Sequence, residues 1–325
     1  MNITQLLEMA AYHQASDLHL SIGYPPMIRK NGRLQKLHAA ILNAEDLNAY
    51  CYQLTPPELR ETFLQKLDLD FAYQLHPIGR FRVNVFNDHK GLALALRLIS
   101  DTIPSLSQYK NQELLRKTMQ HPSGGLILIT GATGSGKSTT LAAMLESLNL
   151  TQAWHIITLE DPIEFVYQGK KSMIHQRELG RDVLSFQQGL RAALREDPDV
   201  ILIGELRDLE TIRLALQAAE TGHLVLATLH ANSAAKSIDR LIDSFPGDEK
   251  NLIRTILSES LIAIFHQILC SRNEQSERQL VQEILINTPA IRHLIREHKL
   301  AQIEATMEIS RPQGMITLAQ ALKEL

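Results

Sequence analysis

Gly131-Ala132-Thr133-Gly134-Ser135-Gly136-Lys137-Ser138 sets three glycines, a lysine and a hydroxyl at the spacing G-x-x-x-x-G-K-[ST]. These residue types suit capture of a polyphosphate. Glycines let backbone N–H groups turn inward around an anion, and a helix starting just after them adds the positive end of its dipole. Lys137 is expected to reach the β- and γ-phosphates and Ser138 to offer a hydroxyl to Mg²⁺, with Thr139 completing the nucleotide-binding stretch. The implied ligand is a nucleoside triphosphate.

Further chemistry-bearing residues follow downstream. Ile157-Thr158-Leu159-Glu160-Asp161-Pro162-Ile163-Glu164 ends an apolar run with three carboxylates, of which Glu160 or Glu164 could help hold Mg²⁺ through its water shell. Val200-Ile201-Leu202-Ile203-Gly204-Glu205 ends another, with Gly204 where an aspartate often stands. Glu205 is therefore the best general base for an attacking water. His223 and His230 flank the run Leu224–Leu229. A histidine at the carboxyl end of a core strand can sense a γ-phosphate, so His230 is the stronger site residue and His223 the weaker.

These residues need a frame that gathers them at one edge. Leu126–Ile129 is short and rich in β-branched residues, as a buried parallel strand should be, and Leu141, Met144, Leu145 and Leu148 recur at helical spacing. From about residue 111, strands at Leu126–Ile129, Ile156–Leu159, Val200–Ile203 and Leu224–Thr228 alternate with helices at about 137–149, 185–196 and 207–221. Such alternation predicts a parallel sheet with right-handed crossovers and a ligand beyond the strands' carboxyl ends. From about 235 the chain reads as mostly helical, interrupted by one hairpin around Asn273–Ser276.

Residues 1–100 read as a separate α+β domain. A helical stripe at Ile3–Ala11 is followed by the alternating strand Ser16–Ile22 and a hairpin signal at Asn31-Gly32. Helices at about 44–53 and 57–66 precede strands at Leu69–Leu75, Arg80–Phe86 and Leu92–Ile99. A linker is expected over 101–110, opening on the loop-rich stretch Ser100–Ser105, and a second domain over 111–325. If the turn Asn87–Lys90 is symmetric, Phe86 pairs with Gly91 and Arg80 with Arg97, and Arg82 lies diagonally from Arg97 on the same face. Like charges crowded on one face call for a neutralising anion or acidic surface.

Composition bounds the rest. A chain of 325 residues with 44% hydrophobic and 21% charged residues suits two soluble globular domains. A net charge of −3 and a single Trp give no strand-tracking basic surface, so direct nucleic-acid binding is not expected. Cys51 and Cys270 stand alone, without a CxxC, which excludes a disulfide framework and a zinc site. No apolar stretch is long enough to span a bilayer, so membrane association is expected to be peripheral.

The motifs together resemble the secretion ATPases of the type II/type IV pilus superfamily, most closely the PilT-type retraction branch. The resemblance runs nearly end to end. It includes Ala15–Leu20, the Walker A loop Gly131–Thr139 with Ala132 where proline is usual, and the Asp box Leu159–Glu164. Leu190–Asp199 leads into an atypical Walker B ending at Glu205, and Thr221–His230 is similar to the His box. Ala290–Ile295 resembles the retraction motif Ala-Ile-Arg-x-Leu-Ile, with His293 where asparagine is common. The resemblance implies a PAS-like N-terminal domain, a RecA-like P-loop ATPase domain with a mostly parallel sheet, and a helical C-terminal tail, shortened here relative to the family. It further implies ATP and Mg²⁺ as ligands and a cytoplasmic ring homohexamer at the inner face of the membrane. That ring would act on a pilus platform protein, and only indirectly on the pilin filament, as the retraction motor or an accessory relative. Arg82 and Arg97 align with the N-terminal arginines that contact nucleotide in that family. A RecA-like nucleic-acid motor and a non-hydrolysing nucleotide-binding regulator are the competing classes, separable by turnover with and without single-stranded DNA.

Overall fold

The structure, a computed structural model, describes residues 1–30, 32–99, 102–271 and 278–325. The turn signal at Asn31, the start of the expected linker at Ser100 and Asp101, and the hairpin turn at Asn273–Ser276 lie outside the described residues. The backbone divides into two units. One comprises Met1–Thr102 with Pro162–Phe165, the other Ile103–Asp161 with Val166–Leu325.

The first unit runs α1 (Ile3–Tyr12), β1 (Asp17–Ser21), β2 (Met27–Lys30), β3 (Arg33–Lys36), α2 (Ala44–Leu54), α3 (Pro57–Lys66), β4 (Asp68–Leu75), β5 (Gly79–Asp88) and β6 (Gly91–Ile99). Asn2 and Asn43 start α1 and α2 with capping boxes, each satisfying backbone donors a helix end leaves orphaned. The six strands form one antiparallel sheet, ordered β3-β2-β1-β6-β5-β4. In β5 the two-residue period sends Phe81, Val83 and Val85 into a core with Leu6, Leu7, Leu47 and Leu54, and leaves Arg80, Arg82 and Asn84 on the other face.

Register corrects one expectation. The β5–β6 turn is two residues long, His89-Lys90, because Asp88 pairs with Gly91. Relative to the symmetric four-residue turn the pairing slips by two, which preserves the face but changes the partners. Arg82 stands directly opposite Arg97, and Arg80 opposite Ile99. Arg29 and Arg97 both pair with Asp17, so a single cross-strand row reads Arg29, Asp17, Arg97, Arg82.

The second unit runs α4 (Gln112–Met119), β7 (Gly125–Thr130), α5 (Lys137–Thr151), β8 (His155–Glu160), β9 (Met173–Glu178), α6 (Phe186–Ala193), β10 (Val200–Ile203), α7 (Leu209–Glu220), β11 (Leu224–Leu229), α8 (Ala234–Asp243), α9 (Lys250–Ser260), β12 (Leu261–Ser271), β13 (Arg278–Ile286), α10 (Pro289–Arg296), α11 (Ile303–Ile309) and α12 (Leu318–Lys323). Its sheet is ordered β13-β12-β7-β11-β10-β8-β9, and every pairing but β12–β13 is parallel. Leu126 and Leu128 of β7 enter one core while Ile127 and Ile129 enter the other, so both faces are covered and the strand reads as unbroken apolar.

One strand is not legible in the sequence, and two run further than it suggests. β9 is an edge strand whose last four residues, His175-Gln176-Arg177-Glu178, are all polar, so it lacks the alternation of a half-buried strand. β12 and β13 are an antiparallel pair on either side of the expected hairpin position, but they reach back to Leu261 and on to Ile286, into the stretch expected to be helical. An unbroken apolar run such as Leu261–Phe265 has no period to separate helix from strand, and its parallel pairing with β7 decides the matter. The expected helix at 185–196 is also shorter, covering only Phe186–Ala193 from its Ser185 cap.

Candidate nucleotide-binding site

β7 delivers Gly131 at the carboxyl edge of the sheet, and α5 begins six residues later at Lys137. The loop between them needs its glycines. At Gly131 a Cβ would lie 2.4 Å from the Gln267 carbonyl and 2.6 Å from Ser135 Oγ, with φ at +146°. Gly136 caps α5 in the left-handed region at φ 86° and offers no side-chain acceptor, so the first N–H groups of α5 keep no cap. Lys137 Nζ donates back to the carbonyls of Gly131 at 3.1 Å and Ala132 at 2.9 Å. Ser135 Oγ is buried and makes no hydrogen bond within the described residues. An uncapped helix start, a cradle that a Cβ would fill and a buried orphan hydroxyl fit a bound phosphate chain. Ala132, Thr133 and Gly134 are exposed along the loop, and on the first turn of α5 Ser138 is half-buried and Thr139 exposed.

Clefts open on either side of this loop. One, about 660 Å³, is lined by Gly131, Ala132, His230, Lys236 and Arg240. The other, about 670 Å³, is lined by Ser135, Gly136, Thr139, Tyr109, Gln279 and Gln282. The first sets Lys236 and Arg240 beside the carboxylates of Asp239 and Asp243, and the second is the size and mixed polarity a nucleoside needs.

The expected base stands one strand beyond β11. Glu205 follows β10, its side chain 18% exposed, and its Oε2 accepts from Arg207 Nε at 2.7 Å. Its Oε1 lies 3.5 Å from His230 Nε2, and His230 lines the cleft beside Gly131. Arg207 also approaches Asp161 at 3.6 Å, joining two carboxylates through one guanidinium. Asp208 then caps α7 by accepting from the Thr211 N–H at 2.9 Å, which fixes where the Glu205–Arg207 loop ends. Gly204 has a packing reason: a Cβ there would sit 3.3 Å from the Leu159 carbonyl and 3.4 Å from Glu160 Cα, so a larger residue would press on β8.

Most of the other expected residues have partners of their own. Glu160 Oε1 accepts from Thr158 at 2.8 Å and Gln176 at 3.1 Å. Glu164 lies in Pro162–Phe165, which clusters with the first unit. The described residues hold no group of three or more His, Cys, Asp or Glu able to bind a metal unaided. A hydroxyl with carboxylate oxygens is a hard donor set of the kind Mg²⁺ takes alongside phosphate oxygens. His223 comes just before β11, and its ring bonds the Ala218 carbonyl at 3.1 Å. Arg97 donates from Nε to Asp17 at 2.8 Å, and Arg82 forks onto Asp70. The neutralising groups expected for the arginine face are therefore present within its own sheet. Burial opposes ionisation of Asp17, but bonds from Arg97 and Ser16 hold its carboxyl below the usual range.

Arg207 was not anticipated, though a basic residue two places after a base-bearing strand end is visible in Glu205-Leu206-Arg207. Gln267, whose carbonyl backs Gly131, was missed as well; its signal is the polar pair His266-Gln267 inside an apolar strand.

A parallel sheet carrying this loop, with a carboxylate one strand removed, defines a P-loop nucleotide-binding protein. Residues 70–323 match the family described as type II/IV secretion system protein, and the chain belongs to it. It is 48% identical to the type IV pilus retraction ATPase PilT of Pseudomonas aeruginosa, over all of this chain and 94% of that one. It is also 48% identical to a twitching motility protein of Neisseria gonorrhoeae, over 92% of this chain and 80% of that one. A crystal structure of the pilus retraction motor PilT with bound ADP superposes with a TM-score of 0.88 at 42% identity, covering 99% of this chain and 96% of the other. No helix among the described residues is long and apolar enough to cross a membrane.

Proposed function

We propose that this chain is an ATP hydrolase of the pilus-retraction type, a motor subunit that uses ATP to withdraw a type IV pilus or related filament. The observation that carries the reading is a complete P-loop whose cleft reaches His230 and, through it, Glu205, in a chain 48% identical end to end with the Pseudomonas PilT. Lys137 would compensate the β- and γ-phosphates. Ser138, with Glu160 or Glu164, would hold Mg²⁺, which neutralises charge on the phosphate oxygens when bound. Glu205 Oε1, the oxygen not taken by Arg207, would accept the proton of the attacking water. His230 beside it would register the γ-phosphate. Arg82 and Arg97 would meet the phosphates of a nucleotide and steady the charge that develops on transfer. In this reading the protein works as a homohexamer on the cytoplasmic side of the inner membrane, against a platform protein, and moves pilin only indirectly.

Steady-state ATP turnover of the purified chain tests this, with and without single-stranded DNA. Turnover indifferent to DNA and abolished in Lys137→Ala is expected. A Lys137→Ala protein that hydrolyses ATP like the parent would refute the assignment, and stimulation by DNA would favour a nucleic-acid motor. Loss of twitching in a deletion strain would tie the activity to a pilus.

A further inference from the structure

β12 carries two consecutive polar residues behind the phosphate loop, His266 at 2% exposure and Gln267 at 0%. Alternation sends them to opposite faces. His266 Nδ1 lies 3.2 Å from Thr130 Oγ1, the hydroxyl just before the loop, which also accepts from Ser237 at 3.2 Å. Gln267 reaches the loop itself. Its Nε2 donates to the Ser135 carbonyl at 2.8 Å, and its Oε1 accepts from Thr140 Oγ1 at 3.0 Å and Gln282 Nε2 at 3.3 Å. One buried amide thus touches the middle of the loop, the first turn of α5 and β13.

A phosphate loop works by turning N–H groups inward, which turns carbonyls outward, and each outward carbonyl that is buried needs a donor. Gln267 is that donor for Ser135. Its partner Gln282 is half-buried and lines the 670 Å³ cleft, where Tyr109 also stands. A polar path therefore runs from the nucleoside side of the site to the back of the loop.

We propose that Gln267 is a positioning residue that holds the loop in its phosphate-accepting form, and that Gln282 couples this form to occupancy of the nucleoside cleft. The inference rests on the nucleotide-site reading above and adds regulation to it: phosphate affinity depends on what the base end contacts.

The test uses the full chain, titrated calorimetrically with MgADP and separately with adenosine, with thermal melting in parallel. Gln267→Glu keeps acceptors for Thr140 and Gln282 but sets a carboxylate oxygen against the Ser135 carbonyl. MgADP affinity should fall about tenfold or more, while adenosine affinity stays within about twofold. Gln282→Ala leaves the core intact and should weaken MgADP about threefold with an unchanged melting temperature. In the double variant the losses should not add, since Gln282 acts through Gln267. Wild-type affinity for MgADP in Gln267→Glu, or equal loss of MgADP and adenosine, overturns the proposal. Should Gln267→Glu fail to fold, unchanged MgADP affinity in Gln282→Ala overturns it, and the threefold loss upholds it. A parent chain that binds no MgADP would instead sink the nucleotide reading, and the proposal with it.

Discussion

Glu205 has two neighbours with different consequences. Arg207 occupies one carboxylate oxygen at 2.7 Å and fixes the side chain's rotamer, whereas His230 lies 3.5 Å from the other and leaves it room to meet a water. Glu205→Gln preserves size and an acceptor for Arg207 but cannot take a proton at the reacting oxygen. Hydrolysis should then fall on the order of a hundredfold or more, with nucleotide affinity within a few-fold of the parent. Single-turnover hydrolysis beside equilibrium binding of ATP decides the matter. Parallel loss of both would make Glu205 an organiser of the bound nucleotide rather than its base.

The strands that hold the site differ in how openly they declare themselves. β7, β8, β10 and β11 were legible because each is a short apolar run closed by a glycine, a carboxylate or a histidine, and their carboxyl ends carry the residues that matter. β12 hides the same apolar content in a longer run whose polar pair, His266-Gln267, makes sense only once β7 and its loop lie alongside. The face of Arg82 and Arg97 followed from the two-residue period, but their register did not, since it depends on the length of the His89-Lys90 turn. The start of α8 joins a local cap, Ser233 Oγ accepting from the Lys236 N–H at 3.2 Å, to a tertiary contact that no local pattern shows. Buried Glu283 of β13 accepts from the Ala234 N–H at 2.9 Å, a capping contact from a residue 49 positions away. Burial pushes its carboxyl above the usual range, the Ala234 bond works against that, and the charge of Glu304 adds to it. A raised folded-state value means the protonated form is favoured on folding. The stability this contributes is present below the ordinary glutamate range and is lost as pH rises through the folded value. Glu283→Gln keeps the acceptor and cannot ionise. It should melt with the parent at about pH 4 and above it at about pH 8, by about 2–4 °C for each kcal/mol recovered. Thermal melts at both pH values check this, and a variant that melts lower at the higher pH would show that the charge itself caps α8.

Arg82 and Arg97 belong to the first unit, while Gly131–Thr139 and Glu205 belong to the second. Each arginine already has a carboxylate partner, Asp70 or Asp17, so neither needs a nucleotide for the sheet to be stable. Arg97 still keeps its side chain 65% exposed, and it faces Arg82 directly across β5 and β6. If two guanidinium groups so placed meet a nucleotide, they meet it as one anion site, not two. Arg82→Ala and Arg97→Ala should therefore each fold, bind ATP and hydrolyse it poorly, and the two losses should not add. If the arginines act on a nucleotide held by a neighbouring subunit, mixing rescues activity. A Glu205→Ala subunit retains its arginines and an Arg82→Ala subunit retains its base, so some interfaces in a mixed ring contain both. Turnover above that of either variant alone would show that the site is shared between subunits. Mixed rings no more active than the sum of their parts, with subunit exchange confirmed by labelled protein, would confine the arginines to their own chain or to shaping the strand face.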